Sequence, residues 1–438
     1  MQVLHPSRGK GQEKQPILAV GGFAAFRSNS HPDTLGQEAR FQFLFHGEAV
    51  RVSQAVFGVF HHFELAHQLR RHEYLETVYS TYPWVRLQRE GLPHEYVQTF
   101  PWIHGPLAGL ARYGLYPSRW TEGLDYWNGL AFDRWMTRRI AKSKNRCDAL
   151  IAISGAGLTA GRLVQSRGGK YICDRGSTHA RYRGRAMQEE YDRWNIPLQT
   201  EDPRDTVREE RQYAMADAIT VPSNFAARSF VQEGIAPEKI HILPYGVRLD
   251  AFHPVATPPP NEFQVIFIGQ ISLHKGIPYL LEAFSRIRHP RKRLRLIGSV
   301  MREMKPVLDK LPTEHVEMLG PVPKKELLEY LSRSHVLVLP SIDEGFGMVQ
   351  GEAMACGCPV ISTTSTGAEN LFTDGVEGFV VPPRDPQALA DRLQQLADDP
   401  TLQQRMSAAA LERVQHLGGW NDYGDRWAQL LLELCNPE

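Results

Sequence analysis

Thirteen short apolar runs, most of them rich in β-branched residues, recur along the chain and are separated by longer stretches with helical spacing. Seven come first: EAVRVSQAV, LETVYSTYP, HEYVQTFPW, DALIAIS, KYICDR, DAITVPS and KIHILPY. After a break come FQVIFIGQIS, LRLIGS, VEMLG, HVLVLP, PVIST and GFVVPP. Most of these runs are continuously apolar rather than alternating, as strands covered on both faces of a parallel sheet must be. Their regular exchange with helical stretches predicts an α/β chain of doubly wound layers.

The break is GVRLDAFHPVATPPPNEF, where His253-Pro254 and Pro258-Pro259-Pro260 fit neither a helix interior nor a central strand. It divides the chain into two Rossmann-like halves, and 438 residues are enough for two or three domains at about 150 residues each. The division expected is an N-terminal extension over 1–46, a Rossmann-like domain over 47–247 and a linker over 248–261. A second Rossmann-like domain follows over 262–415, with a helix over 416–438 returning to the first. Two such domains facing each other leave a cleft at the C-terminal ends of their strands, where ligands of this architecture bind.

Composition removes several classes of function. Fifty Lys and Arg against 49 Asp and Glu leave a net charge of +1, so nothing global favours a nucleic-acid partner. The five cysteines, Cys147, Cys173, Cys356, Cys358 and Cys435, have no zinc-site spacing and suit a reducing compartment. No apolar run reaches the roughly 18 residues of a membrane helix, and MQVLHPSRGKGQEKQ does not read as a signal peptide. A soluble, cytoplasmic protein is expected, with peripheral membrane contact left open.

The segment with the most chemistry is PSIDEGFGMVQGEAMACGCPVI, Pro340 to Ile361. A strand ends at Pro340, and a helix is predicted from about Phe346–Gly347 to Gly357, placing Glu344 before it and Glu352 in its second turn. Gly345 and Gly347 let a ligand approach bare backbone, and amides at the start of a helix suit phosphate. Carboxylates beside a phosphate repel it unless they face hydroxyl donors, so two acids here suit a nucleotide-sugar; Glu344 also fits an ordinary electrostatic helix cap.

Glu344-x7-Glu352 in this setting resembles the signature of the retaining glycosyltransferases of family 4, which have the two-domain GT-B fold. Further motifs agree in order and spacing from about Arg51 onward: FIGQISLHKGIPYLLEAF, ADAITVPSNFAARSFVQEG, KIHILPYGVRLDAFHP and VEMLGPVPKKELLEYLSRSHVLVLPS. The resemblance implies that Lys275 meets the donor diphosphate, Glu344 the transferred sugar and Glu352 the ribose. It implies further that Gly320, Pro321 and Val322 pack on the base, while Phe346, Gly347, Met348 and Val349 offer amides to sugar and phosphates. Where the family usually has an arginine, this chain has Gln270, so another basic residue such as Arg248 is needed or the donor is held less tightly.

In the first half, the resemblance makes Gly58, in the loop of RVSQAVFGVFHHFELAHQL, the close-approach residue facing the donor phosphates; His61 and His62 follow it. His179, in KYICDRGSTHARYRGR, matches a family histidine near the transferred sugar, with Asp174 as the other residue able to hold that place. Acceptor contacts are expected from His61, Asp174, Arg175 and Arg181; the arginines, with Arg183 and Arg185, suit either an anionic acceptor or a solvated helix. FDRWMTRRIAKSKNRC sets six basic residues beside Phe132 and Trp135, and suits either a membrane surface or a solvated face.

There is no Asp-x-Asp, no P-loop and no nucleophile elbow. The expectation is therefore a metal-free, cofactor-free retaining hexosyltransferase, with a nucleoside-diphosphate sugar (a UDP-sugar first) as co-substrate. The acceptor expected is a carbohydrate, sugar phosphate or lipid-linked glycan, without nucleic acid. The competing readings are a sucrose-phosphate synthase-like enzyme, a GT-B epimerase and a non-catalytic nucleotide-sugar-binding partner.

Overall fold

A computed structural model describes residues 50–102, 121–198 and 202–436. The proposed extension over 1–46 lies outside them. Each of the thirteen apolar runs forms a strand. The first seven are β1 (Val52–Val56), β2 (Leu75–Ser80), β3 (Val97–Thr99), β4 (Ala149–Ile153), β5 (Lys170–Asp174), β6 (Ala218–Val221) and β7 (Ile240–Ile242). The next six are β8 (Phe263–Ile268), β9 (Lys292–Ile297), β10 (Val316–Gly320), β11 (Val336–Leu339), β12 (Val360–Thr363) and β13 (Gly378–Val381).

They build two wholly parallel sheets, in the orders β3-β2-β1-β4-β5-β6-β7 and β10-β9-β8-β11-β12-β13. Both orders reverse direction once, between β1 and β4 and between β8 and β11, so each half has one switch point where loops diverge and leave a crevice. The central strands are buried, but for partly buried Ile153 at the end of β4, as their continuous apolar character requires. Edge strands differ: Met318 and Leu319 of β10 and Ile242 of β7 are exposed despite their apolar side chains.

One core is shared by both halves and joins Val56 and Ile172 of the first sheet to Leu243, Phe346, Met354 and Trp427. The other faces of the two sheets have separate cores, around Phe267, Leu280 and Leu296 in one and Phe132, Tyr171 and Phe230 in the other. The C-terminal helix Trp420–Cys435 packs on His62–Arg71, burying Tyr423 and Trp427, and Arg426 donates to the Pro244 carbonyl at 2.8 Å. Its start crosses the chain at Gly246, where a Cβ would lie 2.4 Å from the Gly419 backbone. No helix among the described residues is long and apolar enough to cross a membrane.

In the basic helix Thr121–Lys142, Phe132 is fully buried and Trp135 stacks on it, while Arg134, Arg138 and Arg139 face outward. Phe132 belongs to the core and Trp135 packs partly buried against it, because an amphipathic helix turns its rings towards the sheet and its charges outward.

Candidate active site

The second half supplies an acid and a base from the two loops that part at its switch point. Lys275 follows β8 and Glu344 follows β11, and Lys275 Nζ donates to Glu344 Oε2 with both side chains largely buried. Burial alone would raise the Glu344 carboxyl; the Lys275 charge and hydrogen bond more than reverse this, and hold it below its ordinary range. A glycine makes the pairing possible. Gly276 has φ +67° and a Cβ there would lie 2.0 Å from the Pro340 carbonyl, which draws the two loops together.

The helix after β11 begins at Val349, later than Phe346–Gly347, and ends at Ala355. The cause is Gly347, whose φ of +73° is left-handed and cannot continue into a helix. Glu352 consequently lies in the first turn rather than the second, 3.5 Å from Lys324. Its carboxyl is pushed up by burial, against the Lys324 charge. Phe346 is buried with its ring against Tyr245 across the cleft, and Met348 is exposed. Gly320 ends β10, and half-buried Val322 follows it.

The two halves touch along this same loop. Thr178 donates to Asp343 at 2.7 Å, Ser223 donates to the Gly345 carbonyl at 2.6 Å, and the Asn224 amide donates to Asn370 at 2.8 Å. At Gly345 a Cβ would lie 2.2 Å from the Gly176 carbonyl, so the approach of the halves there demands glycine. His274 bonds through Nε2 to the Asp343 carbonyl, and burial, with the neighbouring Lys275 and Arg183 charges, lowers its pKa to about 4. A neutral ring must therefore donate that hydrogen.

The first half presents a different chemistry. Asp174 ends β5, and its Oδ2 lies 2.6 Å from His61 Nε2 and 3.3 Å from His62 Nε2; Oδ1 accepts from Thr220 at 2.6 Å. Burial would raise the Asp174 carboxyl, but His61, by its charge and its hydrogen bond, and the bond from Thr220 keep it lowered. His62 is wholly buried, which lowers its pKa to about 3, and neither ring nitrogen makes a hydrogen bond. These three side chains are the group among the described residues able to hold a metal ion, with ligand atoms within 4.8 Å of one another. Asp174 is already satisfied by His61 and Thr220 without one. The His61 ring also lies 4.4 Å from that of Tyr245.

The remaining expected residues are placed as follows. Gly58 lies in the loop after β1 with φ +82°, its amide donating to Thr81 at 3.1 Å and its carbonyl accepting from Ser80 at 2.7 Å. His179 caps the helix Ala180–Arg193, accepting the Arg181 amide at 3.2 Å, and its ring packs between Tyr213 and Phe230. The structure brings Asp174, not the His179 ring, to the His61–Tyr245 corner. Arg175 pairs with Glu209, Arg181 with Glu210, and Arg248 with Glu64. Gln270 is exposed on the loop after β8. Thr178, Tyr245 and His274 were not singled out from sequence as functional residues. Only His274 carries a local signal, its place beside Lys275 in the SLHKG turn; the other two are recognisable by contacts made across the cleft.

Residues 60–251 match the family described as Glycosyltransferase Family 4, and residues 250–413 that described as Glycosyl transferases group 1. A D-inositol 3-phosphate glycosyltransferase of Catenulispora acidiphila is 30% identical over 215 residues, which is 44% of this chain and 51% of that protein. The corresponding enzyme of Pseudarthrobacter chlorophenolicus is 30% identical over 261 residues, 55% and 61%. The chain thus spans between half and three-fifths of these curated relatives. Among solved structures, sucrose-phosphate synthase of Thermosynechococcus elongatus superposes with TM-score 0.67 at 21% identity, over 88% of this chain and 99% of that one. Anabaena HepE in complex with UDP-glucose superposes with TM-score 0.61 at 17% identity, over 88% and 100%. These likenesses establish the GT-B fold.

Proposed function

The chain belongs to the group 1 glycosyltransferases, and from that premise we propose that it transfers a hexose from a nucleoside-diphosphate sugar to an acceptor hydroxyl with retention of anomeric configuration. The observation that carries the reading is the Lys275–Glu344 pair at the β8/β11 switch point, where a doubly wound sheet binds its ligand. UDP is the nucleotide proposed first, in keeping with the HepE structures that contain UDP and UDP-glucose.

In this reading Glu344, held ionised by Lys275, accepts hydrogen bonds from the hydroxyls of the transferred sugar. The Lys275 ammonium is shared with the diphosphate, whose negative charge grows as the anomeric C–O bond breaks. The new bond forms from the acceptor oxygen to the same carbon on the same face, and the departing phosphate oxygen takes the acceptor proton. Glu352 binds the ribose diol, and Gly320 and Val322 border the base. No metal or bound cofactor is needed for these steps. Contacts such as Thr178–Asp343 and Ser223–Gly345 hold the halves together and exclude water, which favours transfer over hydrolysis. The reaction proposed is a cytoplasmic one, in glycan or glycoconjugate synthesis.

The test is release of free nucleoside diphosphate from UDP-, GDP- and ADP-sugars, with and without fructose 6-phosphate or inositol 3-phosphate, against a Glu344→Ala control. Slow release from one donor without acceptor is expected, with NMR of the eventual product showing a retained anomeric centre. Release that requires fructose 6-phosphate identifies a sucrose-phosphate synthase-like enzyme. Turnover of no donor above the control overturns the catalytic reading in favour of a nucleotide-sugar-binding partner.

A further inference from the structure

Around the start of the helix Ala180–Arg193, three of four closely spaced arginines are neutralised by acids. Arg175 meets Glu209 at 2.5 Å, Arg181 makes two contacts of 2.7 Å with Glu210, and Arg185 pairs with Glu233. Arg183 stands between them, half-buried, and its guanidinium has no ion pair or hydrogen bond among the described residues. Taking a guanidinium partly out of water without a partner is unfavourable, and such a group in a cleft is poised for an anion.

Arg183 lines a cavity of about 640 Å³ whose opposite wall is the loop after β8, with Gln270, Ser272 and His274. Glu303 is the acid of that lining. The charge of Arg183 also reaches Asp343, Glu344 and His274, and so acts on the same loops that carry the Lys275–Glu344 pair.

A nucleoside diphosphate brings at least two negative charges to that loop. Lys275 is already shared with Glu344, Gln270 is neutral, and Arg248 is tied to Glu64. Resting on the nucleotide-sugar reading above, we propose that Arg183 reaches across the cleft and binds the donor diphosphate, supplying the cation that the β8 loop lacks. Because Arg183 belongs to the first half and Lys275 to the second, the diphosphate is then gripped from both sides. Donor binding thereby favours the closed arrangement, and the leaving group is stabilised from both halves.

The experiment is calorimetric titration of the full chain with UDP, GDP and ADP, and with the nucleoside matching whichever binds. Arg183→Ala is expected to weaken the diphosphate roughly 10- to 100-fold, as loss of one charge-assisted contact does, and to leave the nucleoside unchanged. Arg183→Lys should recover part of the loss and reports on folded protein if the alanine variant does not fold; Gln270→Arg placed on Arg183→Ala should recover part from the other wall. If wild type binds none of the diphosphates, the functional reading itself fails and this inference with it. If wild type binds one and Arg183→Ala binds it equally well, this inference alone is overturned. A defect confined to acceptor KM, with diphosphate affinity intact, also overturns it and assigns Arg183 to an anionic acceptor.

Discussion

The two halves share the order of six strands but organise the C-terminal ends of their sheets by different means. In the second, glycines with left-handed or sterically closed backbones bring Lys275 and Glu344 together, and the residues involved lie within two short segments. In the first, His61, Asp174, Thr220 and Tyr245 converge from four separate stretches of chain and satisfy one another. A site built from local turns exposes charge to a ligand, whereas one built from distant side chains also holds the fold together. The second half should therefore respond to mutation mainly in ligand binding and rate, the first mainly in stability.

The largest effect should come from Glu344→Ala, which is expected to lower turnover about 100- to 1,000-fold, as loss of a preorganised electrostatic group does. A rate within threefold of wild type would remove Glu344 from the chemistry. Asp174→Asn should instead destabilise the protein by about 3 kcal/mol in denaturant titrations, because it breaks a buried His–Asp pair, and leave nucleotide affinity intact. Weakened nucleotide binding with unchanged stability would reverse the contrast between the halves.

Gly276→Ala should cost about 3 kcal/mol, since its Cβ would meet the Pro340 carbonyl at 2.0 Å, while Gly320→Ala, with φ +69° but no neighbour within 4 Å, should cost only about 1 kcal/mol. Equal effects would mean that backbone conformation, not the approach of the loops, dictates glycine. Glu352→Ala should weaken nucleotide binding about 10-fold or more without a comparable loss of stability.

Titration gives the smallest contrast. Burial lowers His335 in the second half to about 4 and His62 in the first to about 3, whereas the unfolded chain protonates its histidines near 6.5. Between those values unfolding takes up protons, so stability is full above pH 6.5 and falls as the pH drops. From pH 6.5 to 5 each histidine should remove about 2 kcal/mol. Tm measured across that range should decline less for His335→Asn than for wild type, since Asn can still accept the Gln264 amide that His335 Nδ1 accepts at 3.0 Å. An unchanged slope would show that His335 does not carry that dependence.

Much of the second half's candidate site was legible because its cause is local: PSIDEGFGMVQGEA and SLHKG have their acids, lysine and turn glycines in short reaches. Even there the helix starts two to three residues later than expected, because the alternation of glycine with apolar residues does not reveal which glycine takes a positive φ. The first half was less legible. His179 and Asp174 stand five residues apart on one strand-to-helix connection. Only the packing of Tyr213 and Phe230 around the His179 ring, and of His61 against Asp174, shows which faces the corner. The basic helix stayed open between two readings for a related reason, since periodicity alone does not say which side of Phe132 and Trp135 meets the sheet.

By itself the amino-acid sequence determined thirteen strands and set Lys275 and Glu344 in loops that follow two of them. These follow from burial of continuous apolar runs and from glycine and proline geometry, both local properties. Only the tertiary structure decided that Arg183 lacks a partner while Arg175, Arg181 and Arg185 have one, that Asp174 is matched to His61, and that Thr178 and Ser223 join the halves. Those outcomes depend on which distant groups meet, and Coulomb and hydrogen-bond energies at 3 Å are decided by position in space rather than by distance along the chain.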